Sequence, residues 1–310
     1  MLLSFVIPCY RSENTIEKVI NEIIETVSER NGFDYEIICV NDYSPDNVWK
    51  VLCNIADDNK KIKLINFSNN SGKDAALLAG LSLVSGEYIV TLDDDFQCPV
   101  KELWRMLEPL ISDECDVTTA QYERKKQALW KNIGSDINMI MSHIMLNQPK
   151  DLRIENFLAM KRYVANEIVK YTNAFPYLDG LILRVTTRIK PIEMEERMRG
   201  DDSSSGFTFK KSMALFANGL TAFSVKPLRV STITGLLAAL VGLIMAIVIL
   251  IRKMTGIIDV EGYTSTIIVQ LIIGGLILMS LGLMGEYIGR IYISINKSPQ
   301  YVIKETVNFK

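Results

Sequence analysis

The sequence predicts an α/β domain built on a mostly parallel sheet, followed by two helices that cross a membrane. Two observations predict this class. Between Leu2 and Val117, short Val- and Ile-rich runs alternate with amphipathic helical segments, a pattern typical of parallel sheets covered by helices on both faces. Two uncharged apolar runs follow in the last quarter of the chain, each longer than the roughly 18–20 residues that span a bilayer.

The predicted strands and helices of the α/β part alternate regularly. Apolar strands are predicted at Leu3–Pro8, Tyr35–Val40, Ile62–Phe67 and Tyr88–Leu92. Helices are predicted between them, at Asn14–Glu29, Asn47–Asn59 and Lys73–Leu83. Ligands of such sheets bind at the carboxyl ends of the strands. Polar clusters stand at these four ends, namely Pro8–Glu13, Asn41–Asp46, Asn69–Lys73 and Asp93–Gln97.

The composition excludes several classes of function. The chain has 34 Lys plus Arg against 36 Asp plus Glu, a net charge of −2, so it lacks the basic surface of a nucleic-acid binder. Its single histidine, His143, excludes a multi-histidine zinc site. That histidine lies in the apolar stretch Ile140–Leu146, where packing is expected rather than a role in a Ser-His-Asp triad. Five cysteines without a CxxC pair are expected to be buried thiols in a reducing compartment.

The two apolar runs are Val230–Ile251 and Gly262–Gly285, with the second span expected at 264–285. The linker between them is too short for a domain, so the spans form a hairpin and both chain ends lie on one side. The segments that flank the hairpin contain more Lys and Arg residues than the turn between the two spans. By the positive-inside rule the α/β domain and both termini are cytoplasmic, in a multi-pass protein of the inner membrane. We expect no signal peptide, because a strand begins almost at once.

Four segments follow from this organisation. They are a cytoplasmic α/β domain at 1–206, a juxtamembrane amphipathic segment at 207–229, the hairpin at 230–287 and a cytoplasmic tail at 288–310. The second segment has apolar residues at spacings of three and four beside Lys210 and Lys211, as in a helix lying at lipid headgroups. Packing against the α/β domain explains this stripe equally well. Glycines such as Gly274 and Gly275 permit close packing between the spans or between subunits of a homo-oligomer.

Three adjacent aspartates follow the fourth predicted strand. Side chains alternate along a strand, so Asp93 and Asp95 leave on one face while Asp94 points away. Two converging carboxylates repel one another unless a cation lies between them, and hard oxygen ligands favour Mg²⁺ or Mn²⁺. A solvated acidic turn is the alternative. The position of the aspartates at the end of a buried strand favours the metal site.

These clusters resemble the ordered motifs of family-2 glycosyltransferases, which have the GT-A fold with a Rossmann-like sheet. The resemblance rests on Phe5–Tyr10 with Glu13, Val40–Ser44 with Asp46, Asn69–Gly80, and Leu92–Gln97 with Pro99. The hairpin and the segment Phe223–Arg229 narrow it to polyprenyl-phosphate glycosyltransferases, the group that includes bactoprenol glucosyltransferases and dolichol-phosphate mannose synthases. The resemblance implies an enzyme that moves a sugar, of the UDP-glucose class, from a nucleotide-sugar donor to polyprenyl phosphate with inversion.

The resemblance also implies roles for individual residues. The nucleotide would contact Pro8, Tyr10, Glu13, Asp42, Lys73 and Asp93, with Asp42 on the base. The metal would be held by Asp93, Asp95 and Gln97, and the catalytic residues would be Asp93, Asp95 and Glu155. The acceptor phosphate would be held by Arg197 or Arg199. The charge of Arg124 and Lys125 also predicts contact with the acceptor phosphate, because Arg suits bidentate phosphate contacts, and a solvated charge run is the equal alternative. The metal would neutralise the charge of the departing nucleoside diphosphate.

Departures from the family pattern leave alternatives open. An acidic residue and a basic residue are common where this chain has Glu155, Asn156 and Leu158. Glu155 replaces the acid, or no base is used, since the acceptor phosphate is already anionic near neutral pH. The spacing after Glu196 is altered, so either Arg197 or Arg199 binds phosphate. A catalytically silent, membrane-anchored nucleotide-sugar binder and a synthase using mannose or an aminosugar are the rival functions. A processive polysaccharide synthase is disfavoured, because such enzymes have a Gln-x-x-Arg-Trp motif and more spans.

Overall fold

The computed structural model describes residues 1–122, 152–174, 176–195, 197, 226–255, 262–296 and 298–309. The chain divides into two units. One contains Met1–Phe207 and Lys297–Lys310, and the other contains Thr208–Asn296. Several residues named above lie outside the described ranges, namely Arg124, Lys125, His143, Arg199 and the segment 207–225.

Eight strands form one sheet in the order β7-β5-β6-β4-β1-β2-β3-β8. The strands are β1 Leu2–Cys9, β2 Asp34–Asn41, β3 Ile62–Phe67, β4 Tyr88–Thr91, β5 Val117–Tyr122, β6 Leu158–Lys161, β7 Ile189–Met194 and β8 Ile303–Val307. Among its described residues, the helices of this unit are α1 Ile16–Ser28, α2 Val48–Asp58, α3 Lys73–Leu81, α4 Leu103–Ile111, α5 Arg162–Ile168 and α6 Leu178–Val185. A short 3₁₀ turn, Val100–Glu102, precedes α4.

The first four strands are parallel, as the sequence predicts, and β1 lies at the centre between β2 and β4. Phe5 pairs with Ile37 on one side and with Val90 on the other, and all three side chains are fully buried. The rest of the sheet is mixed. Strand β6 is antiparallel to β4 and β5, whereas β5 and β7 are parallel. The carboxyl ends of β1, β2 and β4 therefore meet at one edge.

Helix α3 packs unusually close to the centre of the sheet. A Cβ atom on Gly80 would lie 2.3 Å from Cγ1 of Val6, a distance that no side chain tolerates, so glycine is required there. The helix begins at Lys73, immediately after Gly72, whose φ of 89° is left-handed. This packing holds the first turn of α3 against the ends of the central strands.

The C-terminal tail is structured, which the sequence did not predict. Strand β8 pairs antiparallel with β3, with Thr306 opposite Ile65. The amide of Asn66 donates a 2.7 Å hydrogen bond to Glu305, and Tyr301 stacks on Phe67 with ring centroids 5.2 Å apart. The tail is thus an edge strand of the α/β sheet, added after the last helix of the chain.

In the part that the structure describes, the second unit contains two helices, α7 Lys226–Met254 and α8 Tyr263–Ile295. Among the described residues, one segment, Ile272–Ile295, is long and apolar enough to cross a membrane, and Val230–Met245 is a shorter apolar helix. The Oγ atoms of Ser231 and Ser280 lie 2.6 Å apart and join the two helices. A Cβ atom on Gly274 or Gly275 would meet nothing within 4 Å. Close packing between α7 and α8 therefore does not require these glycines, and contact between subunits is the other interpretation.

The five cysteines are free thiols. Cys9, Cys39, Cys98 and Cys115 are buried, as expected, whereas Cys53 on α2 is only half-buried. Burial raises the pKa of Cys98 to about 12. The expectation of buried thiols is correct for four of the five positions and wrong for Cys53.

Candidate active site

Three loops at the carboxyl edge of the sheet share a backbone feature. Arg11 after β1, Tyr43 after β2 and Phe96 after β4 have φ values of 58°, 51° and 63°. A left-handed conformation at a residue other than glycine costs on the order of 1–2 kcal/mol. Such residues gather at functional sites when the surrounding structure holds them in place. The three loops therefore form the first candidate for a site.

The carboxylate of Asp93, just beyond β4, is bound from two directions. Lys73 at the start of α3 forms an ion pair with Oδ1 of Asp93, and Asn156 donates a 2.6 Å hydrogen bond to Oδ2. The Asn156 segment is itself held, since its carbonyl accepts a hydrogen bond from Thr91 on β4. Asp93 thus joins the end of β4 to α3 and to the segment that precedes β6.

Asp94 turns away from these partners, as strand alternation predicts. Its carboxylate accepts a 2.8 Å hydrogen bond from the backbone N–H of Tyr10, and its carbonyl accepts one from the Thr15 hydroxyl at 2.6 Å. Burial raises the pKa of Asp94 to about 6. Asp94 therefore ties the β4 loop to the β1 loop. The middle aspartate thus has a structural role and different partners from those of Asp93.

Asp95 and Gln97 complete the predicted metal set. The backbone N–H of Gln97 donates to Oδ1 of Asp95 at 3.1 Å. Within the described ranges no group of three or more His, Cys, Asp or Glu side chains is arranged to hold a metal ion. The oxygen-rich donor set nonetheless suits a hard cation. The ammonium group of Lys73 already rests on Asp93, so this strand end attracts positive charge.

The predicted nucleotide residues of β1 and β2 fall into an interlocked pair of loops. Glu13 accepts a 2.9 Å hydrogen bond from the Asn47 backbone and donates its own N–H to Asp46 at 3.0 Å. Tyr10 is 45% exposed and Tyr43 is 59% exposed, so both rings face solvent. Pro8 is buried within β1. Proline has no backbone N–H to donate, and none is needed toward β4, because the pairing of β1 with β4 ends at Val6.

Asp42 is buried and organises the loop before α3. Its two carboxylate oxygens accept hydrogen bonds from the backbone N–H groups of Ser71 at 2.6 Å and Gly72 at 2.9 Å. Desolvation nevertheless raises the pKa of Asp42. These contacts fix the turn that starts α3, and the contact with a nucleotide base that the family resemblance implies stays a prediction.

A cavity of about 190 Å³ opens beside the Asp93 network. Its walls include Lys73, Asp74, Glu155, Asn156, Tyr177 and Asp179. The backbone N–H of Glu155 donates to Thr119 on β5 at 2.9 Å, which anchors that wall. Burial, with the Asp74 charge as a second cause, raises the pKa of Asp179 to about 7. Burial likewise raises the pKa of Asp74. Sequence reasoning missed the roles of Asp74, Asn156 and Asp179 here. Asp74 and Asn156 lay within quoted motifs, but Asp179 carried no local signal.

Arg197, one of the predicted phosphate ligands, is paired with a carboxylate of the same domain. Its guanidinium forms two hydrogen bonds with Glu22 of α1, at 2.6 and 2.5 Å. Its backbone N–H donates to the Gln97 carbonyl at 3.3 Å. The structure therefore brings together Asp93, Lys73, Glu155 and, through Gln97, Arg197. The other three predicted phosphate residues lie outside the described ranges.

Comparison with known proteins assigns this architecture. The model of the family described as Glycosyl transferase family 2 matches residues 4–169, which include all four strand-end clusters. The chain belongs to glycosyl transferase family 2. A second family model, the GtrB C-terminal hairpin, matches residues 226–291. This glycosyltransferase therefore combines a family 2 domain with a GtrB-type hairpin.

Relatives of this family 2 glycosyltransferase are similar over nearly the whole chain. Glycosyltransferase CsbB of Bacillus subtilis is 32% identical over 98% of this chain and 92% of its own length. The glycosyltransferase sll0501 of Synechocystis is 30% identical over 98% of this chain and 95% of its own. The bactoprenol glucosyl transferase of Shigella phage SfII is 28% identical over 99% of this chain and 98% of its own.

Solved structures agree on the fold. Glucosyl-3-phosphoglycerate synthase of Mycobacterium tuberculosis, in complex with Mn²⁺, UDP and phosphoglyceric acid, superposes with a TM-score of 0.53 at 18% identity, over 71% of this chain and 78% of that chain. Mannosyl-3-phosphoglycerate synthase of Rubrobacter xylanophilus gives a TM-score of 0.51 at 14% identity, over 70% and 72%. At these identities the likeness supports the GT-A-like fold alone.

Proposed function

We propose that this glycosyltransferase moves one sugar, of the UDP-glucose class, from a nucleotide-sugar to polyprenyl phosphate at the cytoplasmic leaflet. One observation carries the proposal: a family 2 domain and a GtrB-type hairpin occur in one chain that aligns along its whole length with proteins named bactoprenol glucosyl transferase. A lipid-borne acceptor explains why a nucleotide-sugar enzyme carries a C-terminal hairpin with apolar segments at Val230–Met245 and Ile272–Ile295.

The donor would bind across the three loops at the carboxyl edge of the sheet. Tyr10 and Glu13 would border the nucleotide, with Pro8 behind them in β1, and Asp42 would serve the base through the loop that it organises. Lys73 would approach the diphosphate. A lysine paired with an aspartate can exchange that partner for a phosphate, because its ammonium is a mobile point charge. UDP in the Mycobacterium tuberculosis synthase is consistent with a uridine donor.

A divalent cation, Mg²⁺ or Mn²⁺, would be held by Asp93, Asp95 and Gln97, with the diphosphate supplying further oxygens. Bound there, it would stabilise the negative charge that develops on the departing nucleoside diphosphate. The residues of this chain do the remaining work. Asn156 and Lys73 hold the Asp93 carboxylate, and Asp94 fixes the loop to β1. These contacts keep the aspartates in place without a bound ligand.

The acceptor phosphate would attack the anomeric carbon from the side opposite the diphosphate. One phosphate oxygen forms the new bond to carbon as the bond to the diphosphate breaks, so the configuration inverts. The attacking oxygen is already anionic near neutral pH, and it needs positioning more than deprotonation. Arg124, Lys125 and Arg199 would supply the positive charge. Glu155, in the wall of the cavity, would orient the sugar or serve as a base.

Strand β8 supports the proposed membrane topology. The α/β domain precedes α7 and β8 follows α8, yet β8 pairs with β3 in one sheet. A chain whose two flanks join the same sheet must cross a membrane an even number of times between them. Two spans, in α7 and α8, satisfy this condition, and a single span does not. The domain and both termini would then lie on one side of the membrane, which by the Lys and Arg bias would be the cytoplasm.

The test is direct transfer in isolated membranes. Membranes that contain the protein are incubated with undecaprenyl phosphate and a panel of labelled nucleotide-sugars, and the lipid is extracted. Label from UDP-glucose in the lipid is the expected result, and membranes with Asp95→Asn are the control. Label from GDP-mannose or an aminosugar donor would revise the sugar. Nucleotide binding without transfer from any donor would overturn the proposal in favour of a silent binder.

A further inference from the structure

Glu22 is a charged residue on the buried face of a helix. The face of α1 that packs on the sheet is apolar, with Val19, Ile20 and Ile23 buried around it. The Glu22 side chain is only 7% exposed. A buried carboxylate requires a partner, and Arg197 provides it through a two-pronged contact at 2.6 and 2.5 Å. Helix α1 thus carries a buried carboxylate whose partner is Arg197.

Arg197 also contacts the loop that carries the predicted metal ligands. Its guanidinium lies 4.9 Å from the centroid of the Phe96 ring, and Phe96 is the left-handed residue of that loop, at a φ of 63°. Its backbone N–H donates to the Gln97 carbonyl at 3.3 Å, and Nε2 of Gln97 faces the Arg197 carbonyl at 3.5 Å. An amide held by its nitrogen presents its oxygen on the other side.

We propose that Arg197 is a positioning residue of the donor site: anchored by Glu22, it fixes the Phe96–Gln97 loop and orients the Gln97 amide oxygen toward the cation. This inference rests on the proposed function, since it assumes that the loop binds metal and diphosphate. It assigns the acceptor phosphate to other residues. Separating Arg197 from the buried Glu22 carboxylate costs more free energy than one contact with a phosphate provides. Arg197 therefore stays paired with Glu22.

The two roles of Arg197 predict different kinetics. A phosphate ligand acts on the acceptor, so its loss raises the KM for polyprenyl phosphate, and Glu22→Gln would release the arginine to bind phosphate more strongly. A positioning residue acts on the donor side. In that case Glu22→Gln and Arg197→Ala both weaken binding of the metal and the nucleotide, because each breaks the contact between Glu22 and Arg197.

The experiment measures binding as well as transfer, on the full chain in detergent. Mn²⁺ binding is followed by electron paramagnetic resonance and Mn²⁺-dependent UDP binding by calorimetry. We expect Glu22→Gln and Arg197→Ala each to weaken both by about tenfold, and the double variant to be no more than about twofold worse than either single one, since two groups in one contact are not additive. The KM for polyprenyl phosphate should stay within about twofold of the wild-type value.

Matched variants keep the test falsifiable. Glu25→Gln, on the exposed side of α1, should bind like the wild type. Arg197→Lys keeps the charge but loses the two-pronged contact, so its binding of Mn²⁺ and UDP should be weakened. It replaces Arg197→Ala as the test variant if Arg197→Ala fails to fold. Unchanged Mn²⁺ and UDP binding in Glu22→Gln would overturn the positioning role, as would a defect of Arg197→Ala confined to the acceptor KM. A wild-type protein that binds no UDP with Mn²⁺ would overturn both this inference and the proposed donor.

Discussion

Asn156 donates a 2.6 Å hydrogen bond to Asp93 across 63 positions of the chain. Asn156 stands next to Glu155 in the segment that precedes β6, and its amide supplies a donor to Asp93 rather than a second negative charge. A carboxylate there would repel Asp93, whereas the amide stabilises it. Asn156 therefore holds the carboxylate of Asp93, with Glu155 beside it in the wall of the cavity.

We expect Asn156→Ala to lower kcat/KM by about ten- to a hundredfold, because a hydrogen bond to a charged group is worth roughly 1.5–3 kcal/mol. The measurement is steady-state transfer with the nucleotide-sugar varied. Asn54→Ala, at an exposed position of α2, is the control and should be indistinguishable from the wild type. A fully active Asn156→Ala would mean that Asp93 needs no help from this amide.

Asp95→Asn should abolish transfer with little change in the thermal unfolding midpoint. The substitution removes a charge from a partly exposed loop and creates no cavity, so folding is spared. Excess EDTA should likewise stop wild-type transfer, and added Mg²⁺ or Mn²⁺ should restore it. Asp58→Asn, at an exposed carboxylate on α2, is the matched control. Transfer that persists in EDTA would remove the metal from the proposal.

Asp179→Asn should stabilise the protein at pH 8 and have little effect near pH 4. The pKa of Asp179 is raised to about 7, so between its ordinary value and pH 7 the folded state holds a proton that the unfolded state has released. Stability is therefore lost as the pH rises through that window, and it stays constant above it. The groups that act on Asp179 are Asp74, Lys73, Glu155 and Tyr177.

The expected gain for Asp179→Asn at pH 8 is on the order of 2 kcal/mol, reduced from the full shift because the side chain is only half-buried. The measurement is the thermal midpoint of wild type and variant across pH 4 to 8. A difference independent of pH would show that the Asp179 carboxyl is not the titrating group.

A cysteine placed at Asp259 should react with an impermeant maleimide in intact cells, while a cysteine at Lys310 should react only after lysis. In the proposed topology both flanks of the hairpin lie on one side, and the Lys and Arg bias predicts that this side is the cytoplasm and that the turn is outside. The wild-type protein, whose cysteines lie in the α/β domain, reports the background. Labelling at Lys310 in intact cells would reverse the orientation.

The central strands were predictable because each is a buried, Val- and Ile-rich run in a parallel sheet. β1, β3 and β4 begin and end within about one residue of their predicted limits, since burial on both faces leaves a continuous apolar signal. Strand β8 was not predictable. Ile303, Lys304 and Glu305 are all exposed, so the strand has no apolar face, and only its pairing with β3 makes it a strand.

The site was predictable where it depends on local chemistry and hidden where it depends on distant contacts. The aspartates after β4 and the opposite orientation of Asp94 follow from strand alternation. The neighbours Asp74 and Asp179 are separated by about a hundred residues, and nothing near Asp179 in the chain indicates a cavity. The partner of Arg197 was equally hidden, because a glutamate at position 22 is an ordinary helical residue until its burial is known.

If the hairpin is anchored in a bilayer as proposed, strand β8 determines how the α/β domain can be released from it. A domain held by one linker is shed by a single proteolytic cut. Here a cut between 208 and 225 would sever the peptide link to α7, yet the domain would still be fastened to α8 by the hydrogen bonds of β8 and the stack of Tyr301 on Phe67. Release into the soluble fraction would need a second cut or a denaturant.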